Sequence, residues 1–367
     1  MPTQKMTHDI VVAGASAGGV EALMELVAAL PAGLPVSLFV VLHIPSNSPS
    51  MLAQILGRVG NLSVTTAADG EPIERGHIYV ASPDFHLLLT RETIRVTHGP
   101  RENRHRPAID PLFRTAALAF GPRVVGIVLS GMLNDGTAGL IAIKQRGGVT
   151  IAQEPATATF ASMPLSACAK VDIDWCLPPE EIAKKIIHLS HVRVSTPEGA
   201  FPVSEEMEME TKIAGLDPTI LEQDRRPGVL TGYTCPECKG PLWAIQDGEF
   251  LRFRCRVGHA FTAEAMAEGQ VENAENALWS ALNTIEESPQ LYEQLAAQAK
   301  QRGQGRLSQE LACKAEAFHE RAHEIRELLA PIQSLGTIGD EENPSGIPEL
   351  PYPDTPEQRA EGEVAGG

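Results

Sequence analysis

Between residues 9 and 191 the sequence switches repeatedly between short β-branched runs and segments whose apolar residues recur at helical spacing. The runs are DIVVAG, VSLFVVLH, HIYVAS, TIRVTHG, VVGIVLSG, VTIAQ and DIDWCL, and the helical segments are GVEALMELVAAL, DPLFRTAALAF, TAGLIAIKQRGG and PEEIAKKIIHLS. No other feature constrains the fold as strongly. Strands joined through helices run parallel, and their crossovers cover both faces of one sheet. We therefore expect residues 1–193 to form an α/β domain with a doubly wound, mostly parallel sheet and helices on both faces, interrupted by a hairpin-like excursion around residues 76–99. In such sheets ligands bind beyond the carboxyl ends of the strands.

The first strand runs into GASAGG, residues 14–19. A dinucleotide fingerprint needs a glycine where Ser16 stands, so that backbone can approach a pyrophosphate, and an acidic residue where the second strand instead ends in His43. A phosphate-binding P-loop is excluded because no Gly-Lys-Ser/Thr follows. The same residues fit G-x-S-x-G, a turn that lifts a serine hydroxyl above a sheet, although a purely structural glycine turn has the same appearance. His43 closes the second strand and Asp135 follows the VVGIVLSG strand, which brings serine, histidine and aspartate to one sheet edge. As a triad, His43 would take the Ser16 proton during attack, and Asp135 would fix the imidazole tautomer and stabilise the imidazolium. The bland readings are a packed histidine and an Asn-Asp-Gly turn.

Charge and cysteine usage divide the rest of the 367-residue chain. Residues 1–193 hold 16 basic and 16 acidic groups, so the net charge of -17 falls wholly on residues 194–367. That balance argues against a nucleic-acid partner, which requires a basic surface. No apolar run is long enough for membrane insertion, the N-terminus has no secretory signal, and a cytoplasmic protein is expected. Residues 194–228, including SEEMEME, read as an acidic linker, and residues 229–262 as a compact cysteine module. Cys235 and Cys238 form one close pair and Cys255 and His259 another, a closed set suited to structural zinc in a ribbon. The neighbouring Arg252, Arg254 and Arg256 raise nucleic-acid binding, but the acidic surroundings favour a protein partner or simple stability. Residues 263–335 read as two helices broken near QRGQGR, and residues 336–367 as a disordered acidic tail.

Five stretches, VVAGASAGGVEAL, VVLHIP, RPAIDPLFRTAA, GIVLSGMLNDGTAGL and AQEPATATFASMP, resemble in order the motifs of the chemotaxis protein-glutamate methylesterase family, the CheB-type catalytic domain. The resemblance implies hydrolysis of glutamate methyl esters on chemoreceptors or related signalling proteins with release of methanol, without a catalytic cofactor. It assigns Ser16 as nucleophile, His43 as base, Asp135 as its partner, and the backbone N–H groups of Ala17 and Met132 as oxyanion donors. Protein-glutamine deamidation with the same triad is the alternative enzyme reading, and a weakly active signalling adaptor the alternative binding one. Family members carry an N-terminal receiver domain, whereas this catalytic motif starts within fifteen residues of Met1. A separate receiver protein or a methyltransferase is therefore an expected partner, beside the methylated receptor. The family also has glycine where this chain has Leu133, which would strain the loop if a positive φ is required. The cluster around Arg104, Arg106 and Arg114 would dock a glutamate-rich receptor segment, or is a solvated loop before a helix capped by Asp110 with Pro111 in its first position. The cysteine module resembles C-terminal extensions of some methylesterase homologues.

Overall fold

A computed structural model describes residues 6–46, 50–194, 200–221, 226–248 and 250–335, with backbone alone for residues 221 and 330–335. The expected acidic tail lies outside the described residues. The described residues divide into two compact units, one ending at Met266 and the other beginning at Ala267.

In the first unit, β1 (Ile10–Ala15), β2 (Ser37–Leu42), β3 (Ser63–Thr66), β4 (His77–Val80), β7 (Val124–Val128), β8 (Val149–Gln153) and β9 (Trp175–Leu177) form one parallel sheet in the order β3-β4-β2-β1-β7-β8-β9. The remaining early strands, β5 (His86–Leu89) and β6 (Ile94–Thr97), pair as the expected hairpin. Strand β1 is buried on both faces: Val11, Ala13 and Ala15 join one apolar cluster, Ile10 and Val12 another. Helices α1 (Gly19–Ala28), α2 (Leu52–Val59) and α6 (Pro179–Leu189) supply the first cluster, and α3 (Ile109–Phe120), α4 (Thr137–Gln145) and α5 (Ser162–Lys170) the second. The chain winds outward from β1 through β2, then returns to place β7 on its other side. Neighbouring strands β1 and β7 therefore mark the reversal in strand order, the position at which such sheets bind ligands.

The segment expected as a linker contains α7 (Glu205–Ala214) and α8 (Pro218–Leu221). Ser204 caps α7 by accepting the Met207 N–H at 3.1 Å. Met207, Met209, Glu210, Ile213 and Ala214 are buried. The acidic run conceals this helix because its inward stripe includes a carboxylate, Glu210.

That carboxylate meets the cysteine module, whose four strands β10 (Val229–Thr234), β11 (Pro241–Asp247), β12 (Phe250–Cys255) and β13 (Ala260–Thr262) form an antiparallel sheet. Arg252 and Arg254 alternate onto the inward face of β12 and are 7% and 1% exposed, so neither forms part of a basic surface. Arg252 donates to Glu210 at 2.8 and 3.1 Å and to Asp247 at 2.7 Å. Arg254 donates to Glu210 at 2.8 and 3.0 Å, to Glu102 at 3.0 Å and to the Gly258 carbonyl at 2.7 Å, while Arg114 donates to Glu102 at 2.7 Å. Three guanidinium groups thus face the carboxylates of Glu102, Glu210 and Asp247. Burial would raise the pKa of Glu210, but Arg252 and Arg254 outweigh it and hold the carboxyl well below its usual range.

The second unit contains most of α9 (Ala263–Gln301) and α10 (Gly305–Leu335). They are separated at the expected break, where Gly303 has φ 74°. Leu282 of α9 packs with Ala322 and Leu329 of α10, and Tyr292 stacks on Phe318. Among the described residues no helix is long and apolar enough to cross a membrane.

Removing one member of a buried ion network leaves its partners uncompensated, at a cost of roughly 3–5 kcal/mol. Glu210→Ala is therefore expected to lower the urea midpoint of the full chain markedly; a midpoint equal to wild type would show that the network adds no net stability.

Candidate active site and metal centre

The turn after β1 is packed too tightly for larger residues. A Cβ on Gly14 would lie 2.3 Å from Ile109 Cγ2, and Gly18, which caps α1, adopts φ 67°. Backbone bonds tie three strand ends together: Ser16 N–H donates to Ser130 O at 2.9 Å, Leu129 N–H to Gly14 O at 2.9 Å, and His43 N–H to Ala15 O at 3.0 Å. Ser16, His43 and the loop carrying Asp135 consequently share one edge, as the sequence led us to expect.

His43 Nε2 and Asp135 Oδ2 are 2.7 Å apart, with both side chains buried. A carboxylate there accepts a hydrogen bond from Nε2–H, which keeps the proton on that nitrogen and leaves Nδ1 as the basic one. His43 Nδ1 is buried and has no hydrogen-bond partner, so the half-buried Ser16 hydroxyl does not engage it in this state. Asp135 also accepts the N–H groups of Ile109 at 2.7 Å, Asp110 at 3.3 Å and Gly136 at 3.0 Å. It thereby satisfies the exposed donors at the start of α3 and benefits from the positive end of that helix. Burial would raise its pKa, but the His43 bond and the backbone donors outweigh burial and hold the carboxyl below its usual range.

Asp110 does not cap its own helix. Helix α3 begins at Ile109, and the Asp110 carboxylate reaches across to accept Gly136 N–H at 3.0 Å and Gly139 N–H at 2.7 Å at the start of α4. The left-handed Gly136 (φ 92°) has no side chain with which to cap α4, so Asp110 supplies the missing acceptor. Burial, then the charges of Asp135 and Glu102, push Asp110 well above the ordinary carboxylate range.

Two participants escape the motif reading. Residues 102–105 form a tight turn in which Glu102 and His105 exchange backbone bonds of 3.2 and 2.9 Å, with Asn103 and Arg104 at φ 49° and 69°. The turn stacks His105 on His43, with ring centroids 3.6 Å apart and planes 13° from parallel. Burial, then the neighbouring His43, lowers the His105 pKa to about 3, so the stacked ring is neutral near pH 7. Asn103 Nδ2 donates at 2.9 Å to both Asp110 Oδ2 and Asp135 Oδ1. Positive φ at consecutive residues commonly calls for Asn-Gly; here the pair is Asn-Arg, which hides the turn in the sequence.

Met132 is 47% exposed, and neither its N–H nor that of Ala17 donates a backbone hydrogen bond among the described residues. Gly131 lies against the nucleophile candidate, since a Cβ there would come within 2.9 Å of Ser16 Cβ. Leu133 does adopt a positive φ, 62°.

The arginines expected to dock substrate are differently disposed. Arg114 is 3% exposed and committed to Glu102, which removes it from any docking surface. Arg106 donates twice to Asp84 Oδ1, at 3.0 and 2.7 Å, and to Gly99 O at 2.8 Å. Arg104 is half-buried in the turn.

In the cysteine module, one atom each of Cys235, Cys238, Cys255 and His259 lies within 4.8 Å of the others. Cys238 and Cys255 sulfurs are 3.7 Å apart, and His259 Nδ1 is 3.8 Å from Cys235 Sγ and 3.6 Å from Cys255 Sγ. Thiolates held at about 2.3 Å around a tetrahedral zinc would be roughly 3.8 Å apart, so the donor set and its spacing fit that ion.

Residues 11–186 match the family described as CheB methylesterase. The Rhizobium johnstonii protein-glutamate methylesterase/protein-glutamine glutaminase 2 is 39% identical over 187 residues, 50% of this chain and 51% of that protein. A Leptospira interrogans protein with the same double designation, given provisionally, is 36% identical over 185 residues, 50% of this chain and 96% of that one. The match thus spans about half the length of the Rhizobium relative. The Thermotoga maritima CheB methylesterase catalytic domain, a crystal structure, is 34% identical, covering 49% of this chain and 98% of that domain with a TM-score of 0.48.

A left-handed conformation costs an ordinary residue roughly 1–2 kcal/mol, and the greater freedom of unfolded glycine returns roughly half of that. Leu133→Gly is expected to raise stability by about 0.5–1 kcal/mol in urea denaturation; a lowered midpoint would mean that the contacts of the leucine side chain outweigh its strain.

Proposed function

The chain belongs to the CheB methylesterase family, and from that premise we propose that it is a serine esterase that hydrolyses glutamate methyl esters on a chemoreceptor or related signalling protein, releasing methanol. The observation that carries this reading is the buried His43–Asp135 pair at 2.7 Å, with a free imidazole nitrogen at the edge that bears Ser16.

In this reading each residue has a separate task. Asp135 holds the Nε2–H tautomer, and Nδ1 accepts the Ser16 proton as the hydroxyl oxygen attacks the ester carbonyl. The arrival of substrate brings the two together, since catalytic hydrogen bonds commonly tighten only in the substrate complex. The N–H groups of Ala17 and Met132 receive the developing oxyanion. The imidazolium then protonates the departing methoxide, giving methanol and an acyl-serine. In the second half, His43 deprotonates water, which attacks the acyl group and releases the glutamate carboxylate and free Ser16. Neutral His105 against His43 adds no competing positive charge beside the imidazolium.

A glutamine side chain presents the same carbonyl with ammonia as leaving group, and the double designation of the relatives favours protein-glutamine deamidation as a second activity of this site. Structural zinc on Cys235, Cys238, Cys255 and His259, a methylated receptor as partner, a separate receiver protein or methyltransferase in the same complex, and a cytoplasmic location complete the proposal. Arg104 and Arg106 remain the docking residues of this reading.

The purified chain is expected to release methanol from a methylated chemoreceptor fragment, with Ser16→Ala lowering kcat by roughly 10⁴-fold or more. Equal release by the two proteins would remove Ser16 as nucleophile, and ammonia without methanol from a receptor fragment bearing glutamines would make deamidation the principal activity.

A further inference from the structure

Asn103 stands between the candidate triad and the cysteine module, and every polar atom that it offers toward them is engaged. Its two amide protons go to Asp110 and Asp135 at 2.9 Å each. Its side-chain oxygen accepts the Thr262 N–H at 2.9 Å, and its backbone N–H donates to Ala260 O at 2.8 Å. Ala260 N–H returns a bond of 3.2 Å to Arg101 O, so β13 grips both ends of the segment that leads into the turn. A second contact reaches the residue beside Asp135: Thr262 Oγ1 donates to Asn134 Oδ1 at 2.7 Å, and Asn134 Nδ2 donates to Glu264 at 2.6 Å.

Strand β13 is an extension of the metal-ligand loop. His259 immediately precedes Ala260, and Cys255 N–H donates to His259 O at 2.9 Å. Four short strands and their connecting loops make a module too small to hold its shape by apolar burial alone, and small modules of this kind depend on their metal for folding. The four ligands, beside the pairing of β13 with β12, therefore help to set the position of Ala260 and Thr262.

We propose that Asn103 is a positioning residue for the Asp135–His43 pair, held in place by β13 of the metal module, so that metal occupancy governs catalytic competence as well as module stability. This rests on the esterase reading given above. Asn103 separates two buried carboxylates and keeps the one that holds His43 in its place. If β13 is released, the amide loses its anchor and Asp135 loses a fixed donor. Misplacement of a catalytic group by about 1 Å is enough to reduce turnover by roughly a hundredfold, with little consequence for substrate affinity.

The experiment uses the full chain in three forms: zinc-loaded, stripped by a chelator, and zinc-loaded Asn103→Ala. Zinc content, the circular dichroism of the fold, the downfield proton resonance of the His43 Nε2–H bond to Asp135, and methanol release from a methylated receptor fragment are measured on each. Stripping is expected to abolish or broaden the downfield resonance and lower kcat by roughly 10–100-fold with KM within about twofold, and zinc alone should restore both. Asn103→Ala is expected to reproduce these losses while keeping its zinc, which no purely structural role of the metal would explain. An unchanged resonance and kcat in the stripped protein would overturn the proposal, as would the same result in folded Asn103→Ala. Collapse of the whole chain on stripping also overturns it, because the proposal requires the parallel sheet to persist. If Asn103→Ala does not fold, stripping and zinc restoration decide the matter. Absence of Ser16-dependent methanol release from the zinc-loaded protein would instead defeat the esterase reading, leaving the resonance to report on Asn103.

Discussion

Burying a guanidinium is tolerable only where carboxylates surround it, and Arg254 imposes that condition on three parts of the chain. Glu102 comes from the loop before α3, Glu210 from α7, and Arg254 itself from β12. Satisfying Arg254 fixes the mutual placement of these segments, and Glu102 is also the first residue of the turn that positions Asn103 and His105. The ion network therefore does more than join a small module to a larger domain. It sets the depth at which the turn enters the space beside His43.

A second constraint operates within the domain. Asp135 satisfies the start of α3 while Asp110, a residue of α3, satisfies the start of α4. Each helix terminus is completed by a carboxylate from the other segment, with the Asn103 amide between the two acids. Crossing the caps in this way gives Asp135 two tasks: the donors that finish α3 also keep the carboxylate ionised opposite His43.

How much of this was legible in the sequence depends on whether the signal is local. The parallel sheet was, because β-branched runs alternating with amphipathic segments admit few other architectures, and the strand-end positions of Ser16, His43 and Asp135 followed from it. Short elements were not. Strand β3 is largely exposed and lacks a clean alternation, while α5 is built largely of small residues and contains Pro164. Helix α7 was masked by its acidic run, although Met209 with Ile213, four apart, and Met207 with Ala214, seven apart, carried the helical pattern. Arg114 was misread as a docking residue for a physical reason: like Arg252 and Arg254 it belongs to a residue type that is mostly exposed, and only tertiary pairing with Glu102 and Glu210 reverses that preference. Paired charge of opposite sign in two distant segments, the SEEMEME run and the FLRFRC strand, was the available clue. His105 and Asn103 depend on left-handed backbone at residues 103 and 104, which no glycine advertises.

The turn at residues 102–105 also bears on how the two parts of this chain can change over time. A typical appended module meets its host through surface residues that vary independently of the chemistry. Here the host surface supports the candidate triad: Glu102 serves the ion network, Asn103 the acids, and His105 the imidazole. A substitution in the module must therefore be compatible with the geometry of the His43–Asp135 pair, and a substitution near that pair with the seating of the module. A module borrowed from another protein would fit only if its third residue after the histidine ligand met Asn103 with a free N–H, as Thr262 does here.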